Sequence, residues 1–175
     1  MRVFIACCIV VVAGAVAAPA ADATTTRLGS TVRLAKAERA MLALINRART
    51  GRGLCRVRVV RSLERAARAH SSDMLNRDYF SHYSSGGASF ARRLASFGYP
   101  GSGYSGWKVG EVIGWGKGTA GTALSVFRQW MRSAAHRKVI LAGVWRNVGV
   151  GAKVGTYKGL SGVRMFTVDF GRRTG

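Results

Sequence analysis

The hydrophobic period changes along this chain, and that change limits the fold more than any other feature. Leu34, Ala37, Met41, Leu44 and Ala48 recur at three- and four-residue steps, giving a helix from Thr31 that Gly51 and Gly53 end. Leu54 to Val60 reads as a short extended link. Ser62 is placed to cap a second helix with Glu64 in its first turn, and Leu63, Ala66, Ala67, His70 and Met74 make its apolar face. A short helix follows over Ser89–Phe97, closed by Gly98, and Lys108–Trp115 is extended and carries Glu111. Thr119–Met131 repeats the helical pattern through Ala120, Ala123, Leu124, Phe127, Trp130 and Met131. From Trp145 the period falls to two. Val148, Val150 and Ala152 share one strand face, and Val163, Met165, Thr167 and Asp169 share another, with a turn over residues 155–159 between them. Helices first and a strand pair last give an α+β class, with helices covering a sheet.

The first 23 residues stand apart from this pattern. Arg2 precedes an uncharged apolar run over residues 3–16 and several small-residue cleavage sites, which is the form of a secretory signal peptide. Residues 24–30 are polar and read as a flexible start, leaving 31–175 as a single domain. Removal of the leader takes Cys7 and Cys8 with it, so Cys55 is the one mature cysteine and an intramolecular disulfide is excluded. Cys55 is expected as a small buried apolar residue in a monomer.

The charge is +21, from 28 Lys and Arg against 7 Asp and Glu. Such a balance attracts polyanions. The arginines run from Arg27 to Arg173 without gathering in one arm, and no aromatic-basic motif for stacking bases occurs, so specific nucleic-acid recognition is not expected. Loose adhesion to anionic cell-envelope polymers or lipids fits a secreted basic protein better.

Few residues remain that could carry chemistry. The histidines are His70, His82 and His136, and six carboxylates survive removal of a leader containing Asp22. His82 follows the aromatic pair Tyr79-Phe80 and enters the turn-forming run Tyr83-Ser84-Ser85-Gly86-Gly87, which places it on a loop. Glu111 is the one acid of a basic, glycine-rich stretch, and His136 lies just past the helix ending near Trp130-Met131. His82, Glu111 and His136 are the candidate cleft. His70, on an apolar helix face, and Ser133 are candidates to support it.

The order of Ala69-His70-Ser71-Ser72-Asp73-Met74, Tyr79-Phe80-Ser81-His82, Gly110-Glu111, Trp130-Met131, Ser133 to His136, Asn147-Val148-Gly149-Val150-Gly151 and Phe166-Thr167 to Phe170-Gly171 resembles the CAP superfamily of cysteine-rich secretory, antigen 5 and pathogenesis-related 1 proteins, in its bacterial disulfide-free branch. That resemblance implies a three-layer α/β/α sandwich with a central, mainly antiparallel sheet, secretion, and a cleft holding two histidines and two acids. His82, Glu111 and His136 match three of the four. The second acid would fall near Ser133 and is absent, Val112 stands where Asn is usual, and Ala134-Ala135 replaces the common Pro-Gly.

Two imidazoles and a carboxylate match the ligand count of an open metal site for zinc, magnesium or calcium, although none of the spacings is a local metal motif. The same three groups could transfer a proton without a metal, in a cell-envelope hydrolase. They could equally form a polar cluster that joins three elements. The resemblance implies a binding module for a small ligand or lipid more readily than one reaction, and leaves the catalytic residues unknown.

Overall fold

The computed structural model describes residues 10–13 and 32–175. The remainder of the expected leader and the expected flexible start at 24–30 lie outside the described residues. Within the segment expected as a leader, β1 (Val10–Ala13) is a short strand. The chain then runs α1 (Lys36–Thr50), β2 (Arg58–Val59), α2 (Arg61–Asn76), α3 (Phe90–Ser96) and β3 (Gly106–Lys117). After a 3₁₀ turn over Gly118–Gly121 come α4 (Ala123–Arg132), α5 (Ala134–Ile140), β4 (Asn147–Tyr157) and β5 (Leu160–Thr174). The strand order is β1-β3-β5-β4-β2. The long central pairs are antiparallel, and β2 joins β4 in parallel, so the sheet is mixed. β4 and β5 form a hairpin whose two-residue turn, Lys158-Gly159, has both φ angles positive, which matches the right-handed twist of the flanking strands.

Helices cover both faces. On one face, Met41 and Ile45 of α1, Val126 and Trp130 of α4, and Val139 and Ile140 of α5 pack with Val112, Val148, Val150, Phe166 and Phe170. On the other, α2 lies so close to β4 that a Cβ at Gly151 would stand 2.3 Å from the backbone of Ala67. Only glycine admits that approach. The three-layer α/β/α arrangement is therefore the observed fold.

Several local expectations change. α1 starts at Lys36 rather than Thr31, where the Glu38 carboxylate accepts a hydrogen bond from the Ala35 N–H at 2.8 Å. α2 starts at Arg61 with Val60 as its N-cap, because Val60 is held extended by its bond to the Val148 carbonyl. Ser62 lies inside the helix and caps nothing. The expected helix over Thr119–Met131 is broken by the 3₁₀ turn, and Thr122 caps α4 by accepting from the Ser125 N–H at 3.2 Å. This break rotates the buried stripe onto Ala123, Val126 and Trp130, and Leu124 is 43% exposed. Cys55 is exposed, not buried, on the return from α1 to β2.

One buried cation ties the helices of the first face together. Arg49, fully buried near the end of α1, donates to the carbonyls of Cys55 (3.0 Å), Ile140 (2.7 Å), Ala142 (2.9 Å) and Trp145 (3.4 Å). These carbonyls include the orphan acceptors at the C-terminus of α5, where a positive charge is favoured.

Candidate functional site

The loop carrying His82 is held from both helices of the second face. From α2, His70 Nε2 meets the Ser81 carbonyl at 2.8 Å, directly before His82. Burial, together with the nearby Arg93 charge, lowers the His70 pKa to about 3, so the ring is neutral and serves as a support. Asp73, also on α2, accepts from the Tyr79 hydroxyl and from the Ser85 N–H at 3.2 Å. From α3, Arg93 Nη1 donates to the His82 carbonyl at 3.3 Å and to Ser84 Oγ at 3.2 Å. His82 itself is 6% exposed, so the loop delivers the imidazole into the protein instead of presenting it to solvent.

Inside, His82 Nδ1 lies 2.7 Å from Glu111 Oε1, and Arg93 Nη2 donates to Glu111 Oε2. Glu111 is wholly buried on β3. Directly opposite it in the β3–β5 register stands Asp169, equally buried. Among the described residues no group donates to either oxygen of the Asp169 carboxyl, so the two acids face one another across the strand pair with Arg93 as the cation beside Glu111. The electrostatics agree. Burial and the neighbouring Glu111 charge push Asp169 well above the ordinary carboxylate range, while burial raises Glu111 against the opposing pull of Arg93. Of the two acids Asp169 is the more strongly held toward its neutral form, and Glu111, with Arg93 against it, is the better placed carboxylate to accept from His82 Nδ1.

His136 is 1% exposed and, just past α4 as expected, lies within the short helix α5. Its Nδ1 meets Ser133 Oγ at 2.7 Å, across the junction of α4 and α5. α5 packs on β3 through Val139, which would crowd a Cβ at Gly110, the residue before Glu111.

This donor set does not fit the expected metal centre. Both Glu111 oxygens already accept charged or polar hydrogen bonds, and Arg93 supplies the positive charge that a cation would bring. Among the described residues no group of three or more His, Cys, Asp or Glu side chains is placed to hold a metal ion.

Residues 42–170, most of the chain, match the cysteine-rich secretory protein family, CAP. The chain belongs to that family. This CAP chain is 33% identical over 135 residues to the uncharacterized protein YkwD of Bacillus subtilis (strain 168), covering 77% of the chain and 49% of the relative. Its fold is similar to an extracellular protein containing a SCP domain from Bacillus anthracis str. Ames, with a TM-score of 0.61 and 24% identity over 77% of this chain and 40% of the other. It is also similar to an outer surface protein of Borrelia burgdorferi, with a TM-score of 0.65 and 17% identity over 84% of this chain and 100% of that one. The chain thus spans less than half the length of YkwD and of the Bacillus anthracis protein.

Two members of the buried cluster, Arg93 and Asp169, escape a reading of the sequence. Asp169 is visible only as one residue of an alternating strand, and nothing local shows that Glu111 will be its partner. Arg93 is one arginine among 22.

Proposed function

We propose that this CAP domain is an extracellular binding module in which the buried His82–Glu111–Asp169–Arg93 cluster fixes the shape of the recognition surface. The observation that carries this reading is the complete occupation of Glu111. Its charge is balanced by Arg93, each of its oxygens is engaged by His82 or Arg93, and Asp169 opposite it is pushed toward the neutral form by burial. A carboxylate so engaged holds elements in place and leaves neither a general base nor a metal ligand. An extracellular setting is supported by the fold relatives described as extracellular and outer-surface proteins. No helix among the described residues is long and apolar enough to cross a membrane. The net charge of +21 favours contact with anionic envelope polymers or lipids.

Sedimentation of the protein with isolated cell envelope across a salt series tests this reading. A retained fraction that survives high salt and disappears in His82→Ala is expected. Retention that vanishes with salt and ignores His82 would replace the module with a simple polyanion binder. Calorimetry with zinc, magnesium and calcium should show no site that depends on Glu111, and a saturable site lost in Glu111→Gln would restore the metal centre.

One contact favours a second reading, a cell-envelope hydrolase. The Ser133 hydroxyl at 2.7 Å from His136 Nδ1 is a nucleophile beside a base. A fluorophosphonate probe should label Ser133 if this pair is activated, and unlabelled protein would reject the hydrolase.

A further inference from the structure

We infer that the cavity between α2 and α3 is a binding site for a small organic anion, separate from the His82–Glu111–His136 region. The cavity measures about 510 Å³, within the range of small-molecule sites. One part of its wall is apolar, from Ala69, Ala88 and Phe97. The rest is polar and carries the His70 ring and the Asp73 carboxylate beside serine and arginine donors. Ser84 presents its hydroxyl, the Ser96 hydroxyl already donates to the Arg93 carbonyl at 2.7 Å, and Arg92 and Arg93 line the same space.

The two arginines are unequal, and together they define the ligand. Arg93 is 6% exposed, and its Nη groups are committed to Glu111, His82 and Ser84. Its Nε–H is buried and has no acceptor among the described residues. A buried donor without an acceptor costs stability, and an acceptor admitted from the cavity by a small movement of the Arg93 side chain would remove that cost. Arg92, one residue before it, is exposed, and no carboxylate among the described residues pairs with it. A third guanidinium, from Arg65, stacks over the Phe97 ring at 5.6 Å.

The remaining polar groups of the wall are already used. The carboxylate of Asp73 accepts from Tyr79, Ser85 and Arg77, and Arg77 offsets its charge. His70 is neutral, with its Nε2 committed to the Ser81 carbonyl. The complement of this wall is an acceptor-only head group carrying negative charge, joined to an apolar body small enough for the space beside Phe97. A carboxylate or a phosphate ester meets that description. A neutral alcohol of the same shape can accept from Arg93 Nε–H but brings no charge against the guanidinium, so its bond is the weaker one.

Arg93 also reports the state of the cavity to the buried cluster, since an anion on its Nε acts on the guanidinium that neutralises Glu111. Nuclear magnetic resonance on the full chain tests the site with four probes: hexanoate, phenyl phosphate, and the neutral hexanol and benzyl alcohol. The anions should shift the buried Arg93 Nε–H resonance and the His82 ring resonances at millimolar concentration. They should bind roughly tenfold more tightly than the alcohols, the worth of one charge-assisted hydrogen bond. Whichever anion binds more tightly names the head group. Arg92→Gln, an exposed change, should weaken the anions about fivefold without altering the unfolding midpoint. Ala88→Trp, which fills the cavity from its loop, should abolish the shifts. Alcohols binding as tightly as the anions would overturn the proposal, as would binding indifferent to both variants or the absence of any shift.

Discussion

Replacing Arg93 by Met would test how the buried acids are tolerated. Arg93 makes three contacts, to the Glu111 carboxylate, to the His82 carbonyl at 3.3 Å and to Ser84 Oγ at 3.2 Å, and Glu111 is wholly buried. Met keeps most of the stem and removes the charge, leaving a carboxylate in the interior with no cation against it. Removing one partner of a buried pair costs about 3–5 kcal/mol. For a chain of this size that corresponds to a fall of roughly 10 °C in melting temperature. Glu111→Gln should rescue part of the loss, because the double variant no longer buries a lone charge. A cycle of urea unfolding on the two single variants and the double variant should therefore give a coupling of about 2 kcal/mol. The pH dependence has a definite sign. Without Arg93, Glu111 rises further above its ordinary value, so the folded state holds a proton that the unfolded chain releases. The deficit of Arg93→Met should be largest near neutral pH and shrink as pH falls toward the unfolded carboxylate range. Losses additive within about 0.5 kcal/mol, or a deficit that grows on acidification, would refute the cluster as described.

Three other outcomes follow from the same structure. Asp169 is raised by burial and by Glu111, so it contributes stability at low pH that is lost as pH rises toward its folded value. Asp169→Asn keeps a donor to Glu111 and should flatten the fall of unfolding free energy with pH above the ordinary carboxylate range, as measured by urea unfolding at several pH values. Gly151→Ala should cost at least about 3 kcal/mol in the same assay, since its Cβ would meet Ala67 backbone atoms at 2.3 Å, whereas Gly86→Ala, with nothing within 4 Å, should stay within about 0.5 kcal/mol. Cys55 should react with Ellman's reagent in the folded protein at a rate that denaturant hardly changes, because it is exposed.

The fold was largely legible because most of it is written in local periodicity. Met41 and Ile45, and Leu63, Ala66 and Met74, declare their helix faces, and the change to alternation at Val148 and Val163 declares the β4–β5 hairpin. What misled was chemistry that local spacing cannot weigh. Thr122 caps α4 and so delays its start past the 3₁₀ turn, and Leu124 moves from the stripe to solvent as a result. Cys55 is apolar by type, but its position is fixed by the turn after α1, where the carbonyl of Cys55 is needed by Arg49 and its side chain is left outside. The candidate site was half legible. Scarcity of acids and imidazoles pointed to His82 and Glu111, which do touch. Asp169 joins them only through strand register, a pairing made across 58 residues, 169 less 111, that no motif records.

The Arg49 contacts also set an order on how the chain can assemble. Three of the four carbonyls that receive this guanidinium lie 91 to 96 residues further along, at Ile140, Ala142 and Trp145. During synthesis α1 emerges long before any of them exists, so its cation must stay hydrated until most of the domain has been made. Docking of α1 onto α5 is then a late event, bound to the completion of the sheet, because distant contacts form only after the intervening chain has been ordered. The Arg49 guanidinium thus joins the first helix of the domain to a segment made some ninety residues later, closing the first face only when both are present.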